Sequence, residues 1–247
     1  MKLISNWVKA LCYPLPLIGI FYIPVFFMRW YRYSRLEAKD VKVNWNDTQP
    51  CLFDSTINTP FDAHYFYQGA WLARRVAQNK PHKHTDIGSS ALTIGVLSAT
   101  VETEFVDFRP LKVNLSSLTS KAGNILNLAY NDNTIESLSC LHVIEHIGLG
   151  RYGDPMDPAG SNKAAAELQR VLKPGGKLYL SLPVGRERIC FNAHRVHDPF
   201  SVLKMFNQMN LIEYSLVDDS GNYTEDLAVE SDKNMNYGCG LFVFQKP

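Results

Sequence analysis

The chain of 247 residues lacks a dominant charge: 25 basic and 24 acidic side chains leave a net +1. It has no global basic field of the kind that holds a nucleic-acid backbone, so a charged ligand must be recognised locally. Cysteine is scarce. Cys12, Cys51, Cys140, Cys190 and Cys239 are odd in number, far apart and never arranged as C-x-x-C. This argues against a disulfide framework or a zinc ribbon and suits a reducing compartment. Internal repeats, low-complexity tracts and a small-residue cleavage site behind the N-terminus are also missing. What is present is enough apolar matter, 46% of residues, to bury one sizeable core.

Charge is absent locally from Leu11 to Met28, where the chain reads LCYPLPLIGIFYIPVFFM. The length is marginal for a membrane span, and Pro14, Pro16, Gly19 and Pro24 are expected to interrupt a straight helix. Lys2 and Lys9 precede the stretch, Arg29, Arg32 and Arg35 follow it, and aromatic residues stand near both ends. The pattern suits a peripheral or re-entrant segment with both ends on the cytoplasmic side; the alternative is an arm packed on protein surface. The expected organisation is residues 1–35 as a membrane-proximal segment, 36–60 as a linker and 61–247 as the folded domain.

Beyond Phe61 helix and strand signals alternate. FDAHYFYQGAWLARRVAQNK has helical spacing, HTDIGSS ends a short strand, ALTIGVLSA is helix-like and EFVDFRP is a strand. SLSCLHVI is a short apolar run; SNKAAAELQRVL is an amphipathic helix stopped by KPGG, and KLYLSLPV a strand. Asp198 and Pro199 open a helix expected to run to about Met209, before the closing strands LIEYSLVDD and YGCGLFVFQ. Such alternation implies an α/β fold, doubly wound around a mostly parallel sheet with helices on both faces.

His142, Glu145 and His146 form H-x-x-E-H, which on a helix presents two imidazoles and a carboxylate as in inverted zinc peptidases, with Glu225 or Glu230 as a third ligand. Gly148, Gly150 and Gly153 follow at once, however, and would cut such a helix short. At the end of a strand the two histidines are expected to diverge, leaving no metal site. Elsewhere, Asp86, Gly88 and Ser89 mark a strand-to-helix turn that suits an anionic ligand. Asp107 follows Asp86 by 21 residues, near the roughly 20-residue interval at which an acidic side chain takes ribose hydroxyls.

Together DIGSS, FVDFRP, GNILNLAYNDNTIESLSCLHVIEHIG and AELQRVLKPGGKLYLSLPVG resemble the class I S-adenosylmethionine-dependent methyltransferases, from about Phe61 onward. HVIEHIGLGRYGDP with FNAHRVHDP is similar to a small branch of that superfamily whose function is unknown and some of whose bacterial members accompany surface-polysaccharide synthesis. The resemblance implies a Rossmann-like seven-stranded sheet and S-adenosylmethionine as cofactor. It implies that Asp86, Gly88 and Ser89 line the methionine end, that Asp107 accepts from the ribose, that Asn124 contacts adenine, and that His142 and Glu145 close the pocket beneath the sulfonium. Ser90 stands where relatives usually carry a second glycine, and its side chain is expected to crowd the cofactor. His146 is the expected base, with Glu145 and His194 beside it; Arg151, Tyr152, Arg195 and His197 are expected to bind the acceptor, although His194, Arg195 and His197 could equally cap and solvate their loop. No N-P-P-Y or D-P-P-Y follows the fourth strand, which argues against methylation of nucleic-acid bases. The expectation is O-methylation of a small-molecule or glycan acceptor at the inner face of a membrane, with no nucleic acid and no metal; a degenerate fold acting as a partner protein is the alternative, and an H-x-x-E-H zinc hydrolase a remote one.

Overall fold

The computed structural model describes residues 19–36, 42–230 and 235–247, which fall into two compact units divided between Phe61 and Asp62. In the first unit helix α1 (Gly19–Ser34) carries Pro24 in its interior. That proline, expected to interrupt the helix, removes one backbone donor there and is accommodated. Phe27 stacks on Trp45 at 5.7 Å and 14°, and Trp30 meets the same ring edge-on. The N-terminal part of the apolar stretch, 11–18, lies outside the described residues. Among the described residues no helix is long and apolar enough to cross a membrane.

The second unit consists of α2 (Ala63–Asn79), β1 (Lys83–Ile87), α3 (Ala91–Leu97), β2 (Glu102–Asp107), β3 (Leu118–Ala122), β4 (Ile135–Leu141), α4 (Gly160–Val171), β5 (Leu172–Val184), β6 (Arg188–Cys190), β7 (His194–Val196), α5 (Pro199–Met205), β8 (Asn210–Val217), β9 (Tyr223–Thr224) and β10 (Gly238–Gln245). The main sheet has the order β3-β2-β1-β4-β5-β10-β8-β9. Strands β1 to β5 run parallel, and β10 lies antiparallel between β5 and β8. The sheet has eight strands rather than the expected seven, because Tyr223 and Thr224 pair with the edge of β8. The order reverses between β1 and β4, so a crevice opens at their carboxyl ends.

Period-two alternation divides the core between the two faces. Leu178, Leu180, Phe242 and Phe244 pack with Ala164 and Leu168 of α4, whereas Tyr179, Leu241 and Val243 pack with Trp71, Leu72 and Val76 of α2. Each fully buried large side chain contributes roughly 1.5–3 kcal/mol. Asp62 caps α2 by accepting from the Tyr65 amide, and Glu213 of β8 holds the helix down by receiving Arg75 through two N–H groups, each at 2.7 Å, and Trp71 Nε1 at 2.9 Å. Two sequence boundaries shift. KPGG lies within β5, because Leu172 already pairs with Ile135 of β4, and α5 ends at Met205, where Phe206 turns into the core.

Candidate functional site

The crevice begins at Gly88, whose φ of +68° carries the chain from β1 toward α3. A Cβ there would stand 3.2 Å from Asp107 Oδ2 and 3.4 Å from Val143, so glycine is required both by the turn and by the close approach. Below this turn lies a buried polar network. The Asp86 carboxylate accepts from the Ser89 amide at 3.0 Å, from Ser89 Oγ at 2.6 Å and from Ser139 Oγ. His84 sits between Ser137 and Ser139, 2.8 Å from each. With the Ser139 proton given to Asp86, Ser139 accepts from His84 Nε2–H and Ser137 donates to Nδ1, which requires a neutral imidazole. Burial pushes His84 down to about 3, and burial also pushes Asp86 up to about 6 against its three hydrogen bonds. Asp86 therefore does not line the ligand pocket as its position in the motif suggested. Its carboxylate is fully engaged in shaping the loop that presents Gly88 and Ser89.

On one side of Gly88 is an apolar cleft walled by Ile87, Val106, Ile125, Leu126 and Val143. Asp107 stands at its edge: Oδ1 accepts the Arg109 amide at 2.6 Å, leaving Oδ2 turned to Gly88. Asn124 also faces the cleft, with its Oδ1 committed to the Leu126 amide at 2.9 Å and its NH₂ group directed by that bond. Tyr152 closes the mouth, held between the guanidinium groups of Arg109, 4.6 Å from the ring, and Arg151, 5.1 Å. Such cation–π contacts orient the ring at little cost in exposed sites.

On the other side is a polar pocket that shares Gly88, His142, His146 and Tyr152 with the cleft. H-x-x-E-H begins at the end of β4. His142 has φ +55°, and Ile144–His146 forms a single 3-10 turn instead of a longer helix. The two histidines nevertheless do not diverge. His142 Nδ1 lies 3.0 Å and His146 Nε2 3.7 Å from Glu145 Oε1, so the carboxylate occupies the space a shared metal would need. Glu225, considered as a third ligand, pairs instead with Arg75 at 3.7 Å. The geometry therefore does not support the hydrolase reading.

Glu145 is wholly buried, and burial works to raise its pKa, but His142 and then His146 outweigh that and hold it below the usual carboxylate range. Burial likewise opposes charge on His142, whose net shift is upward under the pull of Cys239 and Glu145. His146 differs. Its Nδ1 is 2.6 Å from the Ala193 carbonyl and so carries the proton, while burial lowers its pKa against Glu145's pull. Arg151 donates to the same carbonyl at 2.9 Å.

Ala193 and His194 come from the hairpin β6–β7, which replaces the expected loop. His194 faces the pocket with Arg151 and Tyr152. Arg195 and His197, expected to bind the acceptor or else to cap and solvate their loop, lie outside the walls of the polar pocket. Arg195 is buried and donates to Ile147 O at 2.7 Å, Ser161 Oγ at 3.2 Å and the carbonyls of Glu145, Asp157 and Pro158, binding the glycine loop to α4. His197 is buried beside β5, its backbone bridged to Val184. Alternation along β7 explains this, since only His194 and Val196 share a face. Ser90, expected to crowd the cofactor, lies at the pocket wall with an ordinary φ of −60°. Sequence reasoning missed His64, Tyr65 and Tyr237, which complete the pocket from α2 and the approach to β10. Nothing set His64 and Tyr65 apart from other members of a helical pattern.

No curated protein matches the chain by sequence. Among solved structures, the N-methyltransferase NodS from Bradyrhizobium japonicum WM9, in complex with S-adenosyl-L-homocysteine, is similar at TM-score 0.50 and 16% identity, over 74% of this chain and 87% of that one. YcgJ from Bacillus subtilis is similar at TM-score 0.51 and 16% identity (73% and 98%). The [4+2]-cyclase SpnF is similar at TM-score 0.54 and 14% identity (73% and 80%). At such identities the likeness is one of fold, a Rossmann-like methyltransferase fold. The model of the family described as "Caenorhabditis protein of unknown function, DUF268" matches residues 88–239, more than half of the chain and the part that carries Gly88, Asp107, the histidine turn and Cys239. The chain belongs to that family.

Proposed function

We propose that the chain is an S-adenosylmethionine-dependent methyltransferase acting on a hydroxyl of a sugar or glycan-type acceptor at a membrane face. The observation that carries this reading is the meeting of an apolar cleft and a histidine-lined polar pocket at one glycine, Gly88. The residues fit the cofactor: Gly88 leaves room that a Cβ would fill, Asp107 Oδ2 is available to ribose hydroxyls, and Ile125 and Leu126 offer apolar faces to an adenine. Bound there, it supplies a methyl group on a sulfonium. The chain's own part is to place the acceptor oxygen in line and to take its proton. His146, with its proton fixed at Nδ1 by Ala193, offers the Nε2 lone pair, and Glu145 at 3.7 Å stabilises the imidazolium that forms. His194 and Arg151 supply donors for acceptor hydroxyls. Membrane contact is supported by α1, which exposes Ile20, Phe21, Met28 and Tyr31 beside Arg29 and Arg32.

Calorimetric titration with S-adenosylhomocysteine tests the reading. Binding near micromolar, roughly −8 kcal/mol, that is lost in Asp107→Ala is the expected result. Absence of binding up to millimolar would overturn it. Transfer of labelled methyl to candidate glycans then identifies the acceptor, and flotation with anionic vesicles tests the membrane contact.

A further inference from the structure

We infer that His64, His142 and Cys239 form a binding site for a zinc ion at the inner end of the polar pocket. The three come from the first turn of α2, the end of β4 and the start of β10, and one ligand atom of each lies within 4.8 Å of the others. His142 Nε2 is 3.3 Å from Cys239 Sγ. Zinc bonds of about 2.0–2.3 Å to nitrogen and sulfur give tetrahedral edges of roughly 3.5 Å, so this pair already stands at ligand spacing. The rings of His64 and His142 have centroids 5.8 Å apart, near the roughly 5 Å of two imidazoles sharing one ion. A small turn of the half-buried His64 closes the set.

Glu145 supports the same site from the far side of His142. It is completely buried, and neither carboxylate oxygen has a well-aligned hydrogen bond, although Oε1 lies 3.0 Å from His142 Nδ1. An N–H faces a carboxylate more favourably than a lone pair does, so the proton belongs at Nδ1. That leaves Nε2 aimed at the sulfur and at His64. A buried carboxylate at the far nitrogen of a histidine is the pairing that orients metal ligands and strengthens them as donors, and Glu145 stands within reach of that role. A bare Cys–His contact would need neither the buried carboxylate nor His64. Cys239 is fixed on both sides, its backbone paired with Pro183 of β5 and Val217 of β8. One thiolate with two imidazoles selects zinc over magnesium or calcium. On binding, zinc displaces the thiol proton to solvent and forms the S–Zn bond. Three protein ligands would leave a fourth position for a water or another oxygen ligand.

The site does not depend on methyl transfer and is tested without it. The purified full chain, stripped with a chelator, is titrated with Co²⁺ and followed by absorption, then displaced with Zn²⁺. The expected result is about one equivalent per chain, with tetrahedral visible bands and a thiolate-to-cobalt charge-transfer band. Cys239→Ser loses the charge-transfer band, and His64→Gln keeps it while weakening affinity by at least about tenfold. No cobalt spectrum in the wild type, or a charge-transfer band surviving in Cys239→Ser, would overturn the site. Should Cys239→Ser fail to fold by circular dichroism, unchanged affinity in His64→Gln overturns it equally. Titration of the stripped protein with S-adenosylhomocysteine keeps this outcome distinct from that of the methyltransferase reading.

Discussion

The two hollows that meet at Gly88 are built by opposite means. The apolar cleft is assembled from residues at or just beyond the ends of β1, β2, β3 and β4, and Ile87 and Val106 need only the strand register to fall into place. The polar pocket draws His64 from α2, Glu145 and His146 from a 3-10 turn, His194 from a hairpin and Tyr237 from the approach to β10. The first is a property of the sheet. The second is a property of how distant segments are folded over its rim, and the ionisable groups gather there.

Substitutions on either side should separate the two roles. The largest effect is expected from His146→Ala, whose ring lines both hollows: a fall of about 10²–10⁴ in kcat, with a far smaller change in cofactor-product affinity. In the wild type, activity should rise with pH through a pKa below the ordinary 6.5, because His146 must be neutral to accept a proton and burial lowers its pKa. An acid limb at or above 6.5, or one retained in the variant, would assign the base elsewhere. On the apolar side, Gly88→Val forces a branched side chain onto φ +68° and toward Asp107, and should weaken S-adenosylhomocysteine binding about tenfold to a hundredfold by calorimetry.

Beneath both hollows, His84→Gln probes the floor they share. An unfolded histidine takes its proton near pH 6.5, whereas folded His84 does so only near 3. Its contribution to stability is thus intact above 6.5 and is lost as pH falls toward 3, at up to about 1.4 kcal/mol per unit. Asp86 titrates in both proteins and largely cancels in the difference. Urea unfolding at two pH values between 4 and 7 should show the wild type losing more stability on acidification than the variant; parallel losses would mean that His84 is not held neutral. The smallest effect is expected for Ser90→Gly. Because Ser90 carries its side chain at an unstrained φ of −60°, cofactor-product affinity should change by less than about tenfold, and a larger gain would show that the side chain does crowd the ligand.

How much was legible in the sequence follows the same division. Asp107 and Gly88 could be placed by counting along strand, turn and strand, since local geometry fixes them. Asp86 fell on the right turn, but its oxygens are engaged by Ser89 and by Ser139, and the second of these is brought alongside only by β4. Arg195 and His197 shared a short motif with His194, yet strand alternation and the neighbouring carbonyls drew them away from the pocket. Cys239 was one of several scattered cysteines in the sequence, and its closeness to His142 depends on β10 being inserted beside β5.

At Arg195 an arginine and a lysine are not interchangeable among relatives of this chain. The Arg195 guanidinium reaches five acceptors, the carbonyls of Glu145, Ile147, Asp157 and Pro158 that flank the glycine loop and Ser161 Oγ of α4, from a buried position. A lysine ammonium has three donors radiating from one point and no planar fork. The usual equivalence of the two basic residues therefore fails at this position. A relative with lysine there would need a different path for the glycine loop, and with it a different rim around the site, even if every residue facing the pocket were identical.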